Sequence, residues 1–390
     1  MDARVPSLQP QGPLVFISAA EPSADQHGAT LMRAARQLCP EIRFVGTAGE
    51  CMKAAGCEPL EDLSRNAAML LGAFRQIGRG VRAVQACERL LGTTSVAAAV
   101  LIDSPMLHLP LARRIHARNI PVLYYIAPQL WAWGAHRIYR LRHDVDHLAV
   151  ILPFEEAWFR EQGVTATYVG HPSVERLMQS PIDEAWVEQT RQRGSPFVAL
   201  LPGSRQHVVE SVLPGQLAVA ERVQKRFPRA AFGVSVASER LEPLVATLCA
   251  RSPARVRACV GRHHELICAA DLVLAASGTT TLDVALRQKP MVVMYNASKW
   301  FYQTIGRWLI HTPHLSLPNI LAGRRIVPEF MPYYRSVEPI ARAAIDLLEV
   351  PEKRSAMIER LGEVTAPLRG KSASEETARI LLELLDRNHC

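Results

Sequence analysis

Two short turns in the second half of the chain have the make-up of an anion cradle. Ser277, Gly278, Thr279 and Thr280 lie between the apolar run that begins at Leu272 and the helical pattern LDVALRQ. Free N–H groups at a helix start attract anions, and the helix dipole adds to the pull. Ser277, Thr279 and Thr280 supply hydroxyls, and Gly278 allows close approach to the backbone. Asp283, one turn into the helix, can accept from sugar hydroxyls. The same residue types also serve as plain helix caps, so this segment alone supports either reading. The second turn, Gly203-Ser204-Arg205, follows the buried run FVALL. Its guanidinium offers a fork for phosphate. A cation at a helix start opposes the dipole, which an anionic ligand would offset. Neither turn reads GxxxxGK[ST], and no GxGxxG follows the first strand, which disfavours a P-loop NTPase and a dinucleotide oxidoreductase.

Asp103 ends the nearly all-apolar stretch VAAAVLID. Such a carboxylate is either a helix N-cap or a general base held in a cleft. His171, in VGHPS, either lines a cleft or hydrogen-bonds its own turn. His263 and His264 are adjacent, and adjacent helix positions do not face one site. No acidic or cysteine partner stands at ligand spacing, so no metal is expected.

Residues 284–328 contain no Asp or Glu, but they include Arg287, Lys289, Lys299, Arg307, Arg324 and Arg325. Within them, KWFYQTIGRWLI sets Trp300, Phe301 and Trp308 beside Lys299 and Arg307. That is the composition of a surface that lies in a membrane interface, or of a core helix with a basic edge. No nucleic-acid motif accompanies the charge, so nucleic acid is not expected as a partner.

These turns need elements to hold them. Apolar runs at 14–18, 42–46, 96–103, 121–127, 147–153 and 166–170 alternate with helical patterns, then pause over the polar stretch 173–195. The alternation restarts at 197–203, 230–236, 256–261, 272–277 and 291–295. Continuous apolar strands separated by helices predict parallel sheets covered on both faces. The expected fold is therefore α/β, with two doubly wound, Rossmann-like domains in tandem. Amphipathic helices at 336–350 and 372–387 are placed to pack back on either domain. In such sheets ligands gather at the carboxyl ends of strands, where every turn named above lies.

The composition agrees. The 390 residues are 48% hydrophobic and 21% charged, enough for two cores. A formal net charge of +8 favours an anionic partner. The cysteines Cys39, Cys51, Cys57, Cys87, Cys249, Cys259, Cys268 and Cys390 form no CxxC, which reads as buried free thiols in a reducing compartment. The N-terminal stretch MDARVPSLQPQG lacks a signal-peptide core. No apolar run reaches the about 18 residues of a membrane-spanning helix.

The motifs VLIDSP, PVLYYIAPQLWAW, ILPFE with a following VGHP, LLPGSR, ASGTTTLD and LSLPNILAGR occur in one order over residues 14–335. Together they resemble the lipid-A-disaccharide synthases, glycosyltransferases of the GT-B type. The resemblance implies two Rossmann-like domains with a cleft between them: 1–172 for the acceptor, 173–195 as connector, 196–350 for the UDP-sugar, and helices in 351–390 packing back. It implies an inverting transfer from UDP-2,3-diacylglucosamine to 2,3-diacylglucosamine 1-phosphate, with no cofactor and no metal. Asp103 matches the family's essential aspartate, and Glu21 is a second catalytic candidate. Ser23, Asp25, Gly203, Ser204, Arg205, Ser277, Gly278, Thr279, Thr280, Asp283 and Asn319 fall on substrate-binding positions. Partners are then the two lipid substrates and the membrane surface, at the cytoplasmic face of a bacterial inner membrane, with a homodimer left open. Another UDP-sugar enzyme of this fold and a non-catalytic relative are the alternatives. The chain departs from the family pattern at Ala20 and Ala24, where glycine is usual, at Met106 for an aspartate, at Asp283 for a glutamate, and at Arg325 for an acid.

Overall fold

The computed structural model describes residues 12–60, 87–132, 134–296 and 313–387. The chain divides into two compact units, 1–175 with 370–390, and 176–369.

In the first unit the strands are β1 (Leu14–Ala19), β2 (Arg43–Thr47), β3 (Glu58–Pro59), β4 (Ala98–Ile102), β5 (Val122–Tyr125), β6 (His147–Val150) and β7 (Ala166–Tyr168). They form one parallel sheet in the order β3-β2-β1-β4-β5-β6-β7. The helices are α1 (Pro22–Leu38), α2 (Glu50–Ala54), α3 (Pro105–His116), α4 (Ile138–Asp144) and α5 (Pro153–Glu161), and α6 (Pro172–Gln179) contains the boundary between the units. All five residues of β4 are buried, because helices cover both faces of the sheet. The sheet reverses its winding between β1 and β4, which pair in parallel with Ala19 beside Ile102.

The second unit opens with α7 (Glu184–Arg191), β8 (Phe197–Leu201), the long α8 (Gln206–Arg226) and β9 (Ala231–Val236). It continues through α9 (Glu242–Ala250), β10 (Val256–Val260), α10 (His263–Ala269), β11 (Leu272–Ala275), α11 (Thr280–Leu286) and β12 (Met291–Met294). It closes with α12 (Leu317–Ala322), β13 (Glu329–Phe330), α13 (Glu338–Glu349) and α14 (Pro351–Thr365). The sheet order β10-β9-β8-β11-β12-β13 reverses between β8 and β11.

Each apolar run read from the sequence forms a strand. The expected α/β class with two Rossmann-like units is therefore what the chain adopts. β3 and β13 escaped the sequence reading, since each is a two-residue edge strand without a continuous apolar run. The C-terminal helices divide between the units. Ile340, Ala341 and Ala344 of α13, with Met357 and Leu361 of α14, join the core of the second unit. The last helix, α15 (Ala373–Arg387), returns to the first unit, where Leu381, Leu384 and Leu385 pack in the cluster of Leu31 and Met32 from α1. The cysteines described are free thiols. No helix among the described residues is long and apolar enough to cross a membrane.

Candidate functional site

In the first unit the chemistry gathers where the winding reverses. A crevice opens there at the strands' carboxyl ends, because the following helices leave to opposite faces. Asp103 follows β4 directly. It is not a helix cap: α3 begins at Pro105, and its cap position is Ser104. Both Asp103 (φ 53°) and Ser104 (φ 49°) occupy left-handed backbone. Ile126, after the neighbouring strand β5, does the same at φ 67°. Left-handed backbone is costly for side chains with a Cβ, most of all for a β-branched one, and persists only where the surroundings enforce it.

The enforcing groups are visible. The Asp103 carbonyl accepts from Tyr124 Oη at 2.7 Å and from His108 Nδ1 at 2.7 Å. A carbonyl cannot donate, so Nδ1 carries the proton. Nε2 then accepts from Ser18 Oγ at 2.9 Å. The Asp103 amide donates to the Tyr125 carbonyl at 2.9 Å. His108 is fully buried, and burial pulls its pKa down to about 4, so the ring is neutral near pH 7. The Asp103 carboxyl is half-buried, and burial raises its pKa against the pull of the Ser104 amide, with nearby Glu21 raising it further. Glu21 is exposed at the cap of α1, and Ser23 is exposed in its first turn.

Asp25 does a different job from the one its motif position suggested. It is buried, and its carboxylate accepts from the amides of Gly49 (2.9 Å), Cys51 (2.9 Å) and Met52 (3.1 Å). Through these three bonds it caps the start of α2. The WAW and PFE motifs are joined as well: Trp131 Nε1 donates to Glu155 Oε1 at 2.9 Å. Glu155 is buried, which pushes its carboxyl up to about 7, while Trp131 and the amides of Leu152 and Ile151 pull the other way. His171 Nδ1 accepts from the Ser173 amide at 3.1 Å, so it bonds its own turn.

In the second unit the two small turns lie side by side. β8 and β11 pair in parallel, and the Ala276 amide donates to the Leu201 carbonyl at 2.8 Å. Gln216, fully buried in α8, ties both strand ends together, donating to the carbonyls of Leu201 (3.3 Å) and Leu274 (2.9 Å). The Gly203-Ser204-Arg205 and Ser277-Gly278-Thr279-Thr280 turns thus start from adjacent strand ends. Gly203 (φ 105°) and Gly278 (φ 129°) both need left-handed backbone. A Cβ on Gly278 would meet nothing within 4 Å, so the peptide there lies open. Ser204, Arg205, Gly278 and Thr279 are exposed, and Ser277 and Thr280 are partly so. Among the described residues Arg205 has no ion-pair partner, and its guanidinium is free to take an anion.

Asn319 is fully buried and works as an internal clamp. Its Oδ1 accepts from the amides of Ile326 (2.7 Å) and Val327 (2.9 Å), and its Nδ2 donates to the Val327 carbonyl at 3.0 Å. It shapes the loop after α12 and offers nothing to a ligand directly. The premise that His263 and His264 face no common site is corrected. The start of α10 brings both rings to Asp283 of α11, with His263 Nε2 at 3.4 Å from Asp283 Oδ2. Spacing along one helix could not reveal this, because the third member comes from a different helix. The membrane candidates Lys299, Trp300, Phe301, Arg307 and Trp308 lie outside the described residues.

The sequence reading missed His108, Tyr124, Glu155 and Gln216. Each is a polar side chain buried inside an apolar pattern, and only its distant partner discloses its role. It also missed a groove of about 940 Å³ between α3 and α4, whose lining mixes Arg113, Arg118 and Arg140 with Leu109, Pro110 and Asp144. α3 runs from the carboxyl end of β4 back towards the start of β5, so this groove lies away from Asp103.

Comparison with known proteins gives one family. A family model described as Lipid-A-disaccharide synthetase matches residues 15–381. A lipid-A-disaccharide synthase of Nitrosococcus oceani is 35% identical over 382 residues, covering 97% of this chain and 98% of that protein. One of Geobacter sulfurreducens is 34% identical over 375 residues, covering 96% and 97%. Among solved structures, a Staphylococcus aureus MnaA–UDP complex superposes with a TM-score of 0.62 at 12% identity, covering 95% of this chain and 94% of that one. A Neisseria meningitidis UDP-GlcNAc 2-epimerase bound to UDP-GlcNAc superposes with a TM-score of 0.58 at 12% identity, covering 96% and 99%. At that identity the likeness is one of fold: two Rossmann-like domains of the GT-B class.

Proposed function

The chain belongs to the lipid-A-disaccharide synthetase family, and from that premise we propose that it is an inverting glycosyltransferase joining UDP-2,3-diacylglucosamine to 2,3-diacylglucosamine 1-phosphate. The first unit takes the acceptor and the second holds UDP. Asp103 removes the proton of the acceptor hydroxyl. The freed oxygen attacks the donor's anomeric carbon from the face opposite UDP, and the C–O electron pair leaves with the diphosphate. A carboxylate raised towards neutral pH by burial is a better base than a solvated one. The left-handed backbone at Asp103 and Ser104, held by His108 and Tyr124, fixes where that base points. Glu21 lies close enough to raise the Asp103 carboxyl further.

On the donor side, Arg205 and the open peptide at Gly278 stabilise the departing diphosphate, with the hydroxyls of Ser277, Thr279 and Thr280 around it. Both substrates carry acyl chains, so the enzyme works at a membrane surface. The stretch 299–310 supplies the apolar and cationic side chains for that contact, and the arginine groove between α3 and α4 is a second surface suited to anionic headgroups.

The observation that carries this reading is the Asp103 carboxyl in enforced left-handed backbone at the point where the first sheet reverses its winding. Asp103→Asn tests it. With both substrates supplied and product read by mass spectrometry, turnover should fall by roughly 10²–10⁴-fold, the usual cost of a lost general base, while UDP affinity stays the same. Near-normal turnover would remove Asp103 from the chemistry.

A further inference from the structure

Glu155 is buried where two loops of the first unit meet, with 1% of its surface exposed. It is the third residue of α5, and its Oε2 accepts from the amides of Ile151 (3.2 Å) and Leu152 (3.0 Å), which lead the chain out of β6. Its Oε1 reaches the loop that follows the neighbouring strand β5 and accepts from Trp131 Nε1 at 2.9 Å. All three partners are N–H donors, so an ionised carboxylate, which only accepts, matches them where a protonated acid would not. A buried carboxylate is costly unless it is hydrogen-bonded. Capping α5 uses two of the bonds, and the third serves Trp131.

Trp131 is held by its nitrogen yet is only half-buried. Its indole packs edge-to-face on Phe154, also half-buried, with ring centroids 5.0 Å apart and planes at 81°. Both rings follow the carboxyl ends of strands. β5 ends at Tyr125, and Ile126 turns the chain in left-handed backbone into the loop that carries Trp131. β6 ends at Val150, and Phe154 follows in the first turn of α5. β5 pairs in parallel with β4, whose end leads directly into Asp103, and the Asp103 amide donates to the Tyr125 carbonyl. The aromatic pair thus shares the sheet edge of Asp103, following strands one and two spacings from β4, at about 4.8 Å each. From there it is placed to meet what hangs from the acceptor sugar rather than the reacting hydroxyl, and the acceptor's acyl chains are apolar.

We propose that Trp131 and Phe154 form the seat for an acyl chain of the acceptor, and that Glu155 is the positioning residue that holds Trp131 in that seat. This rests on the transfer reading and adds the part of the first unit that receives the lipid. Without the bond to Oε1 the indole regains rotamer freedom, which the acyl chain must then remove on binding. The cost falls on acceptor binding and not on the chemical step.

The test is steady-state transfer by the full chain, with acceptors of long and short acyl chains and product read by mass spectrometry. Trp131→Ala should raise KM for the long-chain acceptor at least about tenfold through lost apolar contact. Its kcat and donor KM should change little, and its preference for the long chain should shrink. Glu155→Gln puts an NH₂ group among donors and should raise acceptor KM about threefold or more. The double variant should match Trp131→Ala alone, because Glu155 acts through the indole. Since Glu155→Gln can misfold, Trp131→Phe, which needs no partner at Nε1, is a second variant: adding Glu155→Gln to it should leave acceptor KM as it was. Unchanged acceptor KM in folded Trp131→Ala overturns the seat, and additive effects in the double variant overturn the positioning role. If the wild type turns over neither acceptor, the transfer reading fails and the seat is judged by indole fluorescence. The wild-type signal minus that of Trp131→Phe should then change and saturate with 2,3-diacylglucosamine 1-phosphate in detergent, and not with detergent alone. A difference signal that does not move overturns the proposal.

Discussion

His108 is a buried base whose state the fold decides, and acid should expose it. Its ring nitrogens are both committed, Nδ1 donating to the Asp103 carbonyl and Nε2 accepting from Ser18 Oγ. Protonation would give Nε2 a hydrogen that must displace the Ser18 proton, in a site with no exposure to water. Burial accordingly lowers the pKa from 6.5 to about 4. Between those values the unfolded chain binds a proton that the folded chain refuses. Stability contributed here is therefore complete above pH 6.5, shrinks as pH falls, and is gone near pH 4. At about 1.36 kcal/mol per pH unit, the loss across that window is about 3 kcal/mol. Urea unfolding of the wild type and His108→Asn at a series of pH values isolates the effect, because other titrating groups cancel in the difference. The wild-type advantage should decline steadily between pH 6.5 and 4. Labelled-histidine NMR, with the His108 signal assigned by its loss in His108→Asn, should show that imidazole staying neutral below pH 5. A flat difference curve, or a His108 resonance titrating near its ordinary value, would refute the buried-neutral assignment and with it the account of how Asp103 is held.

Arg205→Ala should weaken UDP binding by at least about tenfold, since a charge-assisted hydrogen bond contributes about 1.5–3 kcal/mol; calorimetry showing unchanged affinity would take Arg205 out of the site. Asp25→Ala leaves the amides of Gly49, Cys51 and Met52 without their acceptor, and should cost about 2–4 kcal/mol of stability by denaturant titration. Turnover per folded molecule should be kept, and a selective rise in acceptor KM would instead show that the carboxylate meets substrate. The chain should sediment with anionic vesicles and be partly released by salt, each cation near the surface contributing about 1 kcal/mol. Replacing Trp300, Phe301 and Trp308 by Ser should reduce that binding and leave detergent-dispersed activity less affected. Full retention on vesicles would shift the contact to another surface, the groove at Arg113 and Arg140 being the first to test.

The sequence by itself determined the two-sheet architecture, because strands buried on both faces must be apolar throughout, and those runs stand in plain view between helical patterns. It also placed Asp103, Arg205 and the Ser277–Thr280 turn, since small and charged residues just after a buried strand mark the edge where ligands gather. What it left open was the work each polar residue does. Asp25 and Asn319 sit in motifs as good as any other, but both are spent on backbone amides from segments that are distant, or turned back, in the chain. His108 looks like an ordinary member of α3 until Ser18 and the Asp103 carbonyl close around it. His263 and His264 were set aside on helical spacing, and Asp283 reaches them only because β10 and β11 feed neighbouring helices in the folded unit. A hydrogen-bond partner is chosen by proximity in space, whereas periodicity reports only which face of an element is apolar, so the scaffold is written locally and the division of labour among its polar side chains is settled by tertiary packing.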